Sequence, residues 1–345
     1  MPVVQPAALT AFVAQTFVAA GAKQEHADLV ATSLVNTNLT GHDSHGVVRV
    51  PQYLMLIQNG DLDPKADPAI EHETPVTARV DGHWALGQVT ANFGIRTAIA
   101  KAQEHGMATV ALINCGHVGR LGEWTLMAAD AGLIGLGFCS GGGRGGLVTP
   151  HGGAARRLGT DPISASFPLR DQPSIMVDFA TSAVAEGKIR VARNAGKQVA
   201  PGLILDANGR PSIEPDDLYA GGVLLPAAGH KGYGLGLMME FLGGVFTGRG
   251  CSIFPGFQTG NGVLFIVLRA DLFQPLEEYY AAAQQLIEGV LDVPLAPGSD
   301  GVMLPGEPER RMTAARRAGG IPIDDATWDQ LTSAAGTLGV NWQGD

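Results

Sequence analysis

Charge is sparse in this chain, and what the sequence lacks narrows its chemistry. Only 16% of its 345 residues are charged, and 33 acidic against 23 basic residues leave a net charge of −10. There is no block of Lys and Arg and no basic stripe interleaved with aromatics, so no nucleic-acid partner is expected. No apolar run approaches the roughly 18 residues that a membrane helix needs. The start, Met1-Pro2-Val3-Val4-Gln5-Pro6, has neither the basic residues nor the apolar core of a signal peptide. The three cysteines, Cys115, Cys139 and Cys251, form no CxxC pair. They read as small buried hydrophobes in a reducing, cytoplasmic compartment. No HxxxH or HExxH pattern occurs either, and no metal site is expected.

Glycine, by contrast, is abundant: 48 residues, well above the usual ~7%. With 45% apolar residues recurring throughout, this points to tight turns and close backbone packing in an α/β enzyme. The length suits about two domains. Two amphipathic helices are expected in the first forty residues, through Leu9, Phe12, Val13 and Phe17, then Ala27, Val30, Ala31, Leu34 and Val35. Residues 60–76 read as loop. Strands then alternate with helices: strand 77–80, helix 90–105, strand 109–113, helix 122–131 and strand 133–138, the signature of an α/β layer. Beyond a glycine-rich irregular stretch at 141–162, the pattern predicts a strand at 174–178 and a helix at 181–194. Residues 196–228 read mostly as loop. An apolar helix is expected over 230–247, a buried strand over 263–268, and helices over 275–290 and 325–338, with 292–323 loop-rich.

Five constellations carry candidate chemistry. Gly41-His42-Asp43-Ser44-His45-Gly46-Val47-Val48-Arg49 places two imidazoles, a carboxylate, a hydroxyl and a guanidinium within nine residues. A histidine trades protons near neutral pH, and an arginine grips a planar carboxylate through paired hydrogen bonds. His45 is thus a candidate general acid/base and Arg49 a carboxylate clamp, and a helical segment would put both on one face. The same residues also suit a helix cap and a surface ion pair. Asn114-Cys115-Gly116-His117-Val118-Gly119 follows a predicted strand, where α/β ligand sites lie, although His117 also suits a turn. Asp178, in Val177-Asp178-Phe179-Ala180-Thr181-Ser182, can orient a histidine, bond a ribose or cap a helix. His230-Lys231-Gly232-Tyr233-Gly234 opens an apolar helix whose free N–H groups favour an anion, and its glycines equally favour close packing. Leu304-Pro305-Gly306-Glu307-Pro308-Glu309 says only turn.

Gly141-Gly142-Gly143-Arg144-Gly145-Gly146 satisfies GxGxxG literally. The dinucleotide fingerprint requires its last glycine to open a helix. Here Leu147-Val148-Thr149-Pro150-His151-Gly152-Gly153 follows, which carries no helix, so a Rossmann fold is not expected.

The ordered set GHDSHG…R, NxGHxGRxGxW, LGTDP, VDFATSAxAxGK, GHKGYGL and LPGEPE resembles the malate/L-lactate dehydrogenase family of the non-Rossmann type, over residues 8–340 or so. The hydroxycarboxylate dehydrogenase branch is nearest, through Ala111-Leu112-Ile113-Asn114, Pro201-Gly202-Leu203-Ile204-Leu205-Asp206 and Leu304-Pro305-Gly306-Glu307. The resemblance implies an α/β fold with a helical N- and C-terminal region (1–75 plus 292–345), an α/β substrate-side domain (76–118 plus 259–291) and a central cofactor-binding domain (119–258). It implies a homodimer and a nicotinamide cofactor, with NAD(H) favoured and NADP(H) an alternative. His45 is implied as the proton donor, Arg49 as the substrate clamp and His117 as a second active-site histidine. Asp178 is taken with these as catalytic, since Asp43 or Asp178 can orient His45. Cofactor contacts are implied for Ser140, Asp178, Phe179, Ala180, His230, Lys231, Gly306, Glu307 and Pro308. The expected reaction is hydride transfer between the cofactor and a small 2-oxo or 2-hydroxy carboxylic acid. The alternative is NADPH-dependent reduction of a cyclic imino acid. One departure stands out: Leu158-Gly159-Thr160-Asp161-Pro162 has Asp161 where the family pattern has Asn.

Overall fold

The computed structural model describes residues 1–194 and 196–344. Its centre is a seven-stranded sheet, with strands numbered here in chain order: β1 (Ala69–Glu73), β2 (Thr77–Asp81), β3 (Met107–Cys115), β4 (Leu133–Gly142), β5 (Ile163–Phe167), β6 (Ile175–Phe179) and β7 (Gly260–Arg269). Their spatial order is β1-β2-β3-β7-β4-β5-β6. Only β2 and β3 run parallel, and every other pair is antiparallel. A doubly wound dinucleotide fold needs a mainly parallel sheet, so the non-Rossmann α/β expectation holds. The sheet takes strands from both the 76–118 plus 259–291 range and the 119–258 range.

β7 sits in the middle because its sequence, Gly-Asn-Gly-Val-Leu-Phe-Ile-Val-Leu-Arg, is apolar on both faces. Val263, Phe265 and Val267 point to one face, where α4 (Gly87–His105) presents Ala91, Ile95, Ala98 and Ala102, and α5 (Leu121–Asp130) presents Leu121, Trp124 and Ala128. Glycine lets α5 lie almost on the strand: a Cβ at Gly135 would stand 2.7 Å from the Thr125 carbonyl oxygen and 2.9 Å from the Ala128 Cβ.

The other face meets an unexpected element. The helix predicted over 230–247 stops at Met239, and Glu240–Val245 continue as a π-turn. Gly243 and Gly262 explain it, because a Cβ on Gly262 would lie 2.1 Å from the Gly243 carbonyl oxygen. The widened turn carries the chain against β4 and β7 and drives Glu240 inward; such turns recur at functional sites.

A second core joins the N-terminal helices α1 (Pro6–Ala19), α2 (Gln24–Leu39) and α3 (Val50–Gln58) to the last helix, Asp325–Gly336. A two-residue antiparallel pairing of Val3–Val4 with Ile321–Pro322 ties the two ends of the chain together. A third cluster, around Val148, Ile189, Ile204 and Leu224, supports a small sheet of residues 204–205, 211–212 and 223–224.

Several sequence expectations change. Residues 69–73 form a strand rather than loop, and 163–167 add another inside the stretch following the glycines. The helix expected over 181–194 begins only at Glu186. The loop-rich 292–323 segment contains a helix, Glu307–Gly319, with Gly306 in the left-handed conformation before it. Gly141–Gly146 opens no helix; the chain bends there and Val148 bridges to Leu158. No helix among the described residues is long and apolar enough to cross a membrane.

Gly135→Ala should lower stability by about 1–3 kcal/mol through overpacking against a helix backbone. Gly289→Ala, where a Cβ meets nothing within 4 Å, should be neutral or up to about 1 kcal/mol stabilising from helix propensity. Urea midpoints of the two variants check this; equal midpoints would contradict the packing.

Candidate active site

The segment bearing His45 is not a helix but two short 3₁₀ turns, Asp43–His45 and Val47–Arg49, broken at Gly46. His45 and Arg49 therefore do not share a helical face as the spacing suggested. A side-chain clip holds the break in place. Asn38 on α2 donates to Asp43 Oδ1 (2.6 Å) and accepts from the Val47 N–H (2.9 Å). A Cβ at Gly46 would collide with that amide, 2.1 Å from its oxygen. Arg316 grips both Asp43 oxygens, at 2.6 and 3.0 Å, and Glu309 meets His42 Nε2 at 3.2 Å. Both come from the helix that the sequence left as loop.

His117 is placed by β3 and by the start of α4. Gly87, the first residue of α4, lies so close that a Cβ there would be 2.2 Å from the His117 carbonyl oxygen. Tyr53 on α3 bonds His117 Nδ1 at 2.7 Å, and Gln88 donates to the Tyr53 oxygen at 3.1 Å. The His45 and His117 rings stand 5.3 Å apart. Arg49 donates from Nε to the Ser44 carbonyl (2.7 Å) and from Nη1 to Gln52 (2.9 Å), which fixes the guanidinium.

These side chains meet in one cleft of about 720 Å³, with His45, Arg49, His117, Asp178, Phe179 and Ala180 on its wall. That volume lies within the usual range of small-molecule sites. Burial, then Arg49, His42 and Arg120, push His45 down to about 3. His117 is held well below the ordinary histidine range by burial, Arg49 and His45. Both imidazoles are neutral in the free protein. Burial also lowers the Arg49 value. The cleft wall therefore carries positive charge with proton acceptors beside it, suiting a small organic anion.

Neither expected partner orients His45. Asp43 is committed to Arg316 and Asn38, and Asp178 Oδ2 accepts the Gly122 N–H at 2.7 Å, capping α5. Among the described residues the His45 Nδ1 contact is the Ser44 hydroxyl, at 2.9 Å. Asp178 is pushed up by burial, a shift that Arg120, the Gly122 N–H and His42 oppose.

Other candidate residues stand apart. Ser140 is buried behind the wall and donates to Glu240 Oε2 at 2.9 Å. His230 and Lys231 lie exposed at the start of the 230–239 helix and do not line the cleft; His230 packs edge-on to His151 at 6.0 Å. Gly306 lines a second cavity of about 240 Å³, with Glu309 and Arg310. Glu307 accepts from the Leu304 N–H, and Pro308 is exposed in the first turn of its helix. Tyr53, Gln88 and Arg120 were not singled out by sequence reasoning. Arg120, three residues past His117, lay within a noted motif, and Tyr53 stands one helical turn after Arg49.

The three thiols are buried and unpaired. Asp161, the departure noted above, is 1% exposed and holds φ +40°. Among the described residues neither carboxyl oxygen has a hydrogen-bond partner. Burial and then the Glu240 carboxylate push it well above the carboxylate range; backbone N–H groups of Gly141, Gly159 and Asp161 oppose this without closing a bond.

The sequence and the fold have known relatives. The family model described as malate/L-lactate dehydrogenase matches residues 4–332. Hydroxycarboxylate dehydrogenase B from Escherichia coli O157:H7 is 36% identical over 339 residues, covering 96% of this chain and 93% of the relative. The structure of malate dehydrogenase from Pyrococcus horikoshii OT3 superposes with a TM-score of 0.89 at 31% identity, covering 100% and 97% of the two chains. That of delta1-piperideine-2-carboxylate reductase from Pseudomonas syringae pvar. tomato gives 0.83 at 30% identity, covering 97% and 100%.

The Asp161 environment gives a signed expectation. The folded chain keeps a proton on Asp161 where the unfolded chain, with a pKa near 3.8, has released it. Stability attributable to this site therefore falls as pH rises above that value. Asp161→Asn removes the loss, and asparagine tolerates the positive φ. The melting temperature of the variant should exceed that of the parent by a margin that widens from pH 4.5 or so to about pH 7. A constant or negative margin would contradict the assignment.

Proposed function

The chain belongs to the malate/L-lactate dehydrogenase family, and from that premise we propose that it transfers hydride between a nicotinamide cofactor and a small 2-oxo or 2-hydroxy carboxylic acid. The observation that carries this reading is the meeting of His45, His117 and Arg49 in one cleft. The residues present fit the cofactor: the cleft is large enough, and on its wall the buried Arg120 guanidinium leaves N–H groups unpartnered. Asp178, Phe179 and Ala180 would hold the cofactor on the cleft wall, with Gly306 at the second cavity and Glu307 and Pro308 following it in the chain. Ser140, His230 and Lys231 remain candidates further out. In the same reading the 119–258 segment is the cofactor side, 76–118 plus 259–291 the substrate side, and 1–75 plus 292–345 the helical frame. NAD(H) is favoured over NADP(H) from the hydroxycarboxylate branch and the lack of a compact Arg cluster for a 2′-phosphate; of the adjacent pair Arg156 and Arg157, the first is spent on the Gly222 and Leu218 carbonyls.

When bound, the cofactor supplies or accepts the hydride. Arg49 holds the substrate carboxylate, so the reacting carbon is presented in one orientation. The neutral His45 accepts the hydroxyl proton during oxidation. In reduction, a carboxylate seated on Arg49 offsets the part of the His45 shift that Arg49 adds to burial, and protonated His45 donates to the carbonyl oxygen. Tyr53 locks the ring of His117 beside it. Three buried thiols suit a reducing cytoplasm. A homodimer fits the exposed apolar stripe of Leu237, Phe241 and Phe246, and light scattering of the purified chain tests it.

A second reading, reduction of a cyclic imino acid, is favoured by the similarity to the piperideine-2-carboxylate reductase structure. The same imidazole and guanidinium would serve. Absorbance decay of NADH and NADPH with oxaloacetate, pyruvate, sulfopyruvate and a cyclic imine separates the two. Turnover of the imine alone would overturn the first reading, and silence across the panel would overturn both.

His45→Ala should cut turnover by about 10²–10⁴-fold while NADH binding, followed by fluorescence, persists. Arg49→Lys should chiefly raise the substrate KM, because a point charge replaces a fork. With His45 at about 3 rather than 6.5, kcat/KM for oxidation should stay level as pH falls from about 8 to about 6. A limb with an apparent pKa near the unshifted value would count against His45 as the base.

A further inference from the structure

We propose that Arg120 is a second oxyanion grip of the cleft, taking either a phosphate of the bound dinucleotide or a second carboxylate on the substrate. The inference rests on the reading above and gives the unpartnered guanidinium named there a specific ligand group. Arg120 is the residue just before α5 and is 8% exposed. Its Nε and Nη1 are buried with no hydrogen-bond partner. Among the described residues its side chain makes no hydrogen bond, and no carboxylate lies within ion-pair distance of it. A buried cation left this way is unfavourable and is normally matched by a charge or by hydrogen bonds.

Four acids stand near it, none within ion-pair distance among the described residues: Asp130 and Glu309 share the smaller cavity with it, and Glu309 meets His42 through one oxygen. Asp178 accepts the Gly122 N–H, and Glu123 accepts the Ser33 hydroxyl at 2.7 Å. Burial pushes both carboxyls up, which weakens the counter-charge they offer. The missing partner is therefore to be sought in the cavities that Arg120 lines. It lies on the wall of the larger cleft, with His45, Arg49 and His117. It also lines the smaller cavity, with Gly306, Glu309 and Arg310. An elongated ligand that starts at the histidines and continues toward Arg310 passes this guanidinium at the junction. A small diacid anchored on Arg49 brings its far carboxylate to the same wall. Either oxyanion suits the planar fork of an arginine.

The test uses the full chain with Arg120→Gln and Arg120→Lys, each checked by its melting temperature. NADH is titrated by nicotinamide fluorescence, and kcat/KM is measured for oxaloacetate and for pyruvate. Losing a charge-assisted grip should weaken the gripped ligand at least about tenfold, with Lys intermediate between Arg and Gln. A tenfold weaker NADH complex with an unchanged oxaloacetate-to-pyruvate ratio supports the phosphate. A tenfold fall in that ratio with unchanged NADH affinity supports the second carboxylate. A folded Gln variant that moves neither overturns the proposal; should it not fold, the Lys variant is read by the same criteria. A parent chain that binds NADH but reduces no 2-oxo acid sinks the proposed reaction instead, and the NADH titration alone then decides the role of Arg120.

Discussion

Positive charge held in a cleft away from water is the constraint around which this molecule is arranged. Arg49 and Arg120 stand in the same cleft as His45 and His117, and burial first, then neighbouring positive charge, holds both imidazoles below the ordinary histidine range. Protonating either one would add a further cation beside these guanidinium groups, although Asp178 and Glu186 also line the cleft. The acids nearby are committed elsewhere: Asp178 to backbone, Asp43 to Arg316 and Glu186 to Arg190.

Holding such a site open requires a stiff frame, and the frame is built from close backbone approaches. Gly135 lets α5 lie on β4, Gly87 seats α4 against the His117 loop, and Gly243 with Gly262 presses the π-turn onto β4 and β7. Each of these glycines is there because a Cβ would meet a carbonyl oxygen. The loop bearing His45, which has no regular structure of its own, is fixed by three side chains, Asn38, Arg316 and Glu309, from two helices far apart in the chain. The high glycine content is therefore a matter of packing distance more than of flexibility.

Legibility in the sequence followed the physical range of each signal. Helices α1, α2, α4 and α5 and the buried strand β7 were readable from periodicity, because one face or both faces of each meets a continuous apolar core. The literal GxGxxG was correctly discounted from the proline and glycines behind it. The helix Glu307–Gly319 escaped because it is polar almost all round, with no buried residue to impose a period. The π-turn escaped because its cause, the close approach of Gly243 to Gly262, lies between residues distant in sequence or on different elements. His45, Arg49 and His117 were visible as candidates, while Arg120, although inside a motif, and Tyr53 were not, since an arginine or tyrosine declares no role until its spatial neighbours are known.

The amino-acid sequence by itself determined the α/β class, the absence of a dinucleotide fingerprint helix, and the family to which the motif order points. Those are local or ordered features, and each residue contributes to them through its own side chain and its near neighbours. Tertiary structure alone decided that His45 and Arg49 converge although they share no helical face, that Ser140 turns away to Glu240, and that Arg120 is a buried cation without a partner. These outcomes depend on burial and on distances between groups far apart in the chain. Charge in a low-dielectric interior responds to those distances, and a linear pattern does not contain them.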